Sequence, residues 1–230
     1  MGRELAFGNP PIAVDLRRSA RAKRLSLRVS RLDGKVTLTL PPRAPEREAI
    51  AFLHAREDWL RKHIDQIAPE VTVGIGATVP FQGQDLPILA SDVRRATLLD
   101  GAILVPDDPE QVGKRVRAML RLRARDALAA ASDHYAGRVG RSYTRISLRD
   151  TRSRWGSCSS KGVLMYSWRL IMAPPQVLNY VAAHEVAHLV EMNHSAAFWR
   201  VVAGLMPDYE VYRLWLRQEG QHLHRVSFGD

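Results

Sequence analysis

The order of apolar and polar positions divides the chain into an early part that alternates and a later part that repeats every three or four residues. Arg24-Leu25-Ser26-Leu27-Arg28-Val29-Ser30 puts every second side chain on an apolar face, the period of a half-buried strand. Val36-Thr37-Leu38-Thr39-Leu40 repeats the pattern after Asp33-Gly34, a dipeptide suited to a tight hairpin turn. Pro41-Pro42 ends that strand, since neither residue can donate to a ladder. A helix is predicted from near Pro45, with Ile50, Leu53, Leu60, Ile64 and Ile67 along one face and Trp59 beside it. Short strands follow around Thr78–Phe81, Leu86–Leu89, Ala96–Leu99 and Ile103–Val105, turning at Gly83-Gln84 and Asp100-Gly101.

Pro106 to Pro109 reads as a boundary, after which the period changes. Between Glu110 and Val139, Val112, Val116, Met119, Leu120 and Ala127 share one helical face, and Lys114, Arg117, Arg121 and Arg125 share the opposite one. Gly140 stands where a helix C-cap is expected. Strands are predicted at Thr144–Arg149 and Val163–Ile171, and Pro174-Pro175 opens another helix. Ser195 N-caps a last apolar helix holding Phe198, Trp199, Val202 and Leu205. The expected fold class is therefore α+β, with a β-rich basic region over residues 1–105. Residues 106–230 then supply a long helix, a small sheet and a chemistry-bearing helix.

That helix reads HEVAHLVEMNH over residues 184–194. His184 and His188, at i and i+4, lie ~40° apart and one turn along, so their imidazoles can close on one metal ion. Glu185 follows the first histidine and points beside the metal, where a carboxylate can take a proton from bound water. The flanks, Val181 to Ala183 and Val186 to Val190, are those of a buried helix, in which polar side chains are costly unless partnered. On a continued helix His194 would sit ~9 Å beyond His188 and ~80–120° round, so the helix must break before it to ligate. Asn193 tolerates the left-handed conformation that ends helices. The spacing is that of metzincins, with Glu191 in place of their glycine. Glu191 competes as third ligand, but its reach suits a supporting place beside His188; Glu210 is a further carboxylate. The expected site is one Zn2+ per chain on His184, His188 and His194, with an open fourth position.

Charge adds a second theme. The chain has 34 Lys and Arg against 24 Asp and Glu, a net +10 with pI near 10.3. Eleven Lys and Arg against five acids lie within residues 1–48. Arg17, Arg18, Arg21, Lys23 and Arg24 are candidate contacts for a polyanion, nucleic acid or nucleotide. Against that, charge on an edge strand also guards it from unwanted pairing. Residues 114–125 carry six further basic side chains and no acid. No apolar run approaches the ~20 residues of a membrane helix, and no secretory signal is read at the N-terminus. The one cysteine, Cys158, excludes an internal disulfide framework and fits a reducing cytoplasm, the expected location. It sits among Arg152, Arg154 and Lys161, either as a reactive thiol or as a small residue packed in a hairpin.

The segments SRWGSCSSKG, SWRLIMAPPQVLNYVAAHEVAHLVEMNHSAAFW and MPDYEVYRLWL, with RRSARAKRLSLRVSRLDGKVTLTLPPR near the start, resemble the YgjP-like metallopeptidase family, also called DUF45. The resemblance covers nearly the whole chain. It implies a zincin-like minimal metalloprotease domain in the C-terminal part, a cytoplasmic bacterial protein, and kinship with zincins of the SprT/Wss1-like kind, some of which act on DNA-bound proteins.

The expected activity is zinc-dependent hydrolysis of a peptide or protein, with a zinc-bound water activated by Glu185. Tyr209 and Arg154 are candidates to stabilise the oxyanion, with Tyr212 a further one. A substrate would lie extended along the strand preceding the metal helix. Two alternatives differ in class. A metal-dependent nucleoside triphosphate pyrophosphohydrolase would hold phosphates with Arg152, Arg154, Lys161 and Arg169. A basic nucleic-acid-binding adaptor would use the metal structurally and have no need of Glu185.

Overall fold

Two buried apolar clusters with no shared residue organise the protein, one within Met1–Pro69 and one within Glu70–Asp230. The computed structural model describes residues 3–30, 34–65 and 70–229. In the first unit, β1 (Arg3–Phe7), β2 (Ile12–Arg18), β3 (Ser26–Val29) and β4 (Val36–Leu40) form one sheet of order β1-β2-β4-β3. β1 and β3 are antiparallel to their neighbours, and β2 runs parallel to β4. The alternation read from the sequence puts Val36, Leu38 and Leu40 on the buried face of β4, with Val14 and Leu16 of β2 beside them. Helices α1 (Glu46–His54) and α2 (Glu57–Asp65) add Ala49, Leu53 and Leu60 to that core.

The single helix expected here is therefore two. Leu53 and Leu60 keep their shared burial across the break, and Ala55-Arg56 carries no glycine or proline to announce it. Asp33 of the expected Asp33-Gly34 turn, and Ile67, lie outside the described residues; Gly34 has φ +71. β1 and β2 are additions to the predicted set.

In the second unit, β5 (Val71–Thr72) is followed by β6 (Thr78–Phe81), β7 (Gln84–Ala90), β8 (Thr97–Leu99) and β9 (Ala102–Val105), the last four in the order β6-β7-β9-β8. Their hairpins turn at Gln82-Gly83 and Asp100-Gly101, where all four residues have positive φ, as such tight turns require. The first turn thus lies one residue before the expected Gly83-Gln84. The domain boundary also moves, from 105/106 to 69/70. Val79, Ile88, Ile103 and Val105 share one core with Val112, Val116 and Leu120 of the long helix α3 (Val112–Arg138), so these strands belong with the helix and not before it.

α3 ends as its sequence indicates. Gly140 has φ +62, its N–H donates to Gly137, and the Arg141 N–H reaches back to Ala136, a Schellman closure. β10 (Arg145–Arg149), β11 (Gly156–Cys158) and β12 (Val163–Ser167) form a sheet of order β10-β12-β11, with β10 parallel and β11 antiparallel to β12. The predicted strand to Ile171 stops at Ser167 and continues as a 3-10 turn, Trp168–Met172. Trp168, Leu170, Ile171 and Met172 are all buried, so that apolar run reports burial and not a strand period.

Helices α4 (Pro175–Ala187), α5 (Ala196–Leu205) and α6 (Tyr209–Gln218) follow. β13 (Val226–Ser227) pairs in parallel with β5. The architecture is mixed α+β, as the pattern predicted. Among the described residues no helix is long and apolar enough to cross a membrane.

Candidate metal centre

α4 is buried nearly all round, with Val177, Leu178, Val181, Ala182, Ala183, Val186 and Ala187 in the core. Its regular turns place His184 and His188 one above the other, with ring centroids 5.2 Å apart. The helix then tightens: Leu189 N–H bonds to Val186 O, and both Val190 and Glu191 N–H bond to Ala187 O. The chain leaves the helix axis, and His194 folds back to the pair, its ring 5.1 Å from His184 and 4.8 Å from His188. The break occurs where ligation requires it, but not by the expected device. Positive φ is recorded for Gln82 and Asp100 and not for Asn193, whose Oδ1 instead accepts from the Ser195 N–H at 3.0 Å. Ser195 in turn caps α5 by accepting from Phe198 N–H.

The donor nitrogens of the three histidines lie within 4.8 Å of one another. His184 Nε2 and His194 Nε2 are 3.1 Å apart. Nitrogens bound ~2.0–2.1 Å from one tetrahedral zinc stand ~3.3–3.4 Å apart, so this pair fits a shared ion of that size. His188 Nδ1–H donates to the Glu191 carbonyl at 3.0 Å, which leaves Nε2 as the donor to a metal. His184 Nδ1 is buried without a protein partner, and that ring is held by edge contacts with Tyr180 and Phe198. Burial, then the neighbouring His188 and His194, pull the His184 pKa down to about 3, and burial lowers that of His188. Both are neutral at pH 7, the form a metal needs.

Glu185 is 5% exposed. Burial pushes its pKa up to about 8, with the Arg154 guanidinium opposing. β11 lies against it: a Cβ on Gly156 would meet Glu185 Oε1, Cδ and Cγ before any other atom. Cys158, on the same strand, has its thiol raised to about 11 by burial and by Glu185, and it stands apart from the histidine group. It is a packed residue and not an activated thiol.

Other expected participants separate clearly. Glu191 supports His188 through its backbone, and neither it nor Glu210 joins the histidine group. Tyr209 stacks on Trp199 at 5.3 Å, Trp199 lies 5.8 Å from His184, and the Tyr209 hydroxyl reaches Glu210 Oε1 at 3.4 Å. Arg169 donates to both oxygens of Asp150 and to the carbonyls of Leu223 and Val226, so it is occupied within the fold and not offered to phosphates. In the first unit Arg17, Arg21, Lys23 and Arg24 are exposed. Arg18 is exposed as well, and its Nη1 donates to the carbonyls of Pro41, Pro42 and Ala44, so that one nitrogen clasps the turn.

In the sequence Phe198 reads only as a core residue. It is fully buried and forms the floor of the site: His188 stacks on it at 4.4 Å, and His184 and His194 meet it at 4.9 and 4.8 Å. Its place at the start of α5, four residues after His194, was the available signal.

The family model described as YgjP-like, metallopeptidase domain, matches residues 23–219. No curated protein matches the chain. Among solved structures, the metallopeptidase zymogen abylysin of Pyrococcus abyssi aligns at 19% identity with a TM-score of 0.36, over 40% of this chain and 95% of its own.

Proposed function

This chain belongs to the YgjP-like metallopeptidase family, and we propose that it is a zinc-dependent peptidase whose one ion is held by His184, His188 and His194 and whose general base is Glu185. The observation that carries the reading is the convergence of three imidazole donors within 4.8 Å beside a buried carboxylate. A zinc ion on those donors supplies Lewis acidity, which acidifies water and polarises a carbonyl.

The remaining work falls to side chains and backbone of this protein. Glu185 accepts a proton from the attacking water and returns it to the leaving amine nitrogen. Arg154 favours the ionised carboxylate that the first step needs. Phe198 keeps water from the rear of the imidazoles and fixes their spacing. Tyr209 is the hydroxyl we assign to the developing oxyanion, carried to the rim by its stack on Trp199.

The substrate strand lies along β11. The strand directly before the metal helix, β12, is paired on both sides, whereas β11 is an edge and Gly156 brings it against Glu185. Glu185→Gln keeps the size of the side chain and removes its basicity. It is expected to retain zinc and to lose ~10²–10⁴ in turnover of a peptide substrate. Equal turnover in the two proteins, with equal metal, would remove Glu185 from the mechanism.

A further inference from the structure

The sheet β6-β7-β9-β8 and the first half of α3 leave a groove of about 500 Å3 between them, within the second unit. Four arginines rim it. Arg94 and Arg95 come from the bend between β7 and β8, and Arg115 and Arg123 from α3, ~12 Å apart along the helix axis. Arg115 is paired with Asp108 at 3.0 Å. Of the six basic residues between Lys114 and Arg125, Arg115 and Arg123 line the groove, and with Arg94 and Arg95 they give it a positive rim.

The floor of the groove is apolar. Leu98 and Met119 are half-buried there, and Leu122 is 59% exposed between Arg121 and Arg123. A single exposed leucine is ordinary. An exposed leucine beside half-buried Leu98 and Met119, in a groove also lined by four arginines, is a composite surface, and its complement must carry negative charge and apolar side chains together. Among the described residues no aromatic side chain lines the groove, so they offer no stacking platform for nucleic-acid bases. A phosphate backbone would satisfy the rim and leave Leu122 and Met119 uncovered. A bilayer would need a broad projecting apolar face, and Leu122 is the one strongly exposed large apolar side chain of this groove, Leu98 and Met119 being half-buried.

We propose that this groove docks an acidic amphipathic segment of a partner protein. Its carboxylates pair with Arg94, Arg95 and Arg123 in the bidentate fork that guanidinium favours. Its leucine-like side chains cover Leu98, Met119 and Leu122 in the manner of a helix laid into a groove. The ~12 Å of exposed α3 matches about two turns of such a helix. Docking here does not depend on the catalytic reading, because it is read as binding and not as turnover.

The experiment is fluorescence anisotropy of the intact chain with a labelled acidic peptide of about four helical turns, leucines at helical spacing and Asp or Glu elsewhere. A single-stranded oligonucleotide and anionic vesicles serve as rival probes. The double variant Arg94→Glu/Arg123→Glu is expected to weaken peptide binding roughly tenfold or more, and Leu122→Gln by a similar factor, with the circular dichroism spectrum unchanged. Every basic residue of the first unit is kept in both variants, so the differences report on the groove. Peptide affinity unchanged in Leu122→Gln would show charge attraction without docking and overturn the proposal. The proposal is equally overturned if the peptide does not bind, or if the substitutions weaken the oligonucleotide or the vesicles and not the peptide.

Discussion

Gly156→Ala adds one methyl group at the point where β11 meets Glu185. The new Cβ would stand 2.7 Å from Glu185 Cγ and 2.8 Å from Cδ, against 3.4 Å or more for ordinary contact. Glu185 is 5% exposed and is rooted in α4 beside buried Val186, so its room to swing away is small. The carboxylate or the strand must therefore retreat by about 0.7 Å or more, an overpacking that costs about 1–3 kcal/mol of stability. A displacement approaching 1 Å in a proton-transferring group costs on the order of 10² in rate. The histidines are untouched, so metal content should equal that of the parent. The assay pairs metal analysis with steady-state kinetics on a peptide at a temperature where the variant is fully folded. The expected result is a fall in kcat of about a hundredfold at full metal occupancy. Parent-like kcat in a folded, metal-replete variant would refute the idea that the Gly156 backbone sets the position of Glu185.

Three further outcomes test other parts of the structure. His194→Ala should lose most of the metal that the parent binds while Glu191→Ala keeps it, because Glu191 contributes only its carbonyl; full metal content in the histidine variant would refute the ligand set. Arg169→Met should lower the unfolding free energy by about 2–4 kcal/mol in urea titration, mainly from the two buried carbonyls left unpaired, since Asp150 keeps access to water; a loss below about 0.5 kcal/mol would show that water replaces the guanidinium without penalty. The Cys158 thiol, raised from 9.0 to about 11, should alkylate about a hundredfold more slowly at pH 8 than free cysteine, and the stability it confers should be complete below pH 9 and decline as pH rises toward 11; rapid alkylation of the folded protein would show an open, ionised thiol.

What the sequence made legible follows from how local the causes are. The His184–His188 pair rests on helix periodicity alone, and the need for a break before His194 rests on helix rise, so both were readable without a fold. The means of the break was not, because it depends on a bond from Asn193 to a neighbour's N–H and not on the intrinsic tolerance of asparagine. Gly156 acts through a contact with α4 that is remote in sequence and that composition does not mark, whereas Phe198, four residues after His194, meets the histidines from close by in the chain. Pro106 to Pro109 reads as a boundary because prolines break strands between domains and in tight connections alike. The apolar faces of β6 to β9 have their core partner only in α3, and that need places the boundary earlier. Arg18 belonged to a run of positive charge, and the run concealed its role. Pro41-Pro42 frees carbonyls that no strand pairs, and Arg18 is the residue in reach.

The parallel pairing of β13 with β5 gives the second unit a property of its own. Val226 lies opposite Val71 and Ser227 opposite Thr72, so the chain enters and leaves this unit on adjacent strands. Because the two strands run the same way and are two residues long, the points of entry and exit lie on the order of 10 Å apart. A unit with its ends so close can be spliced into a surface loop of another protein without stretching either host or guest, and its chain can be cut and rejoined elsewhere with a short linker. Residues 70–229 thus have the form of a transplantable cassette that carries its three histidines, Glu185 and its arginine-rimmed groove as one piece.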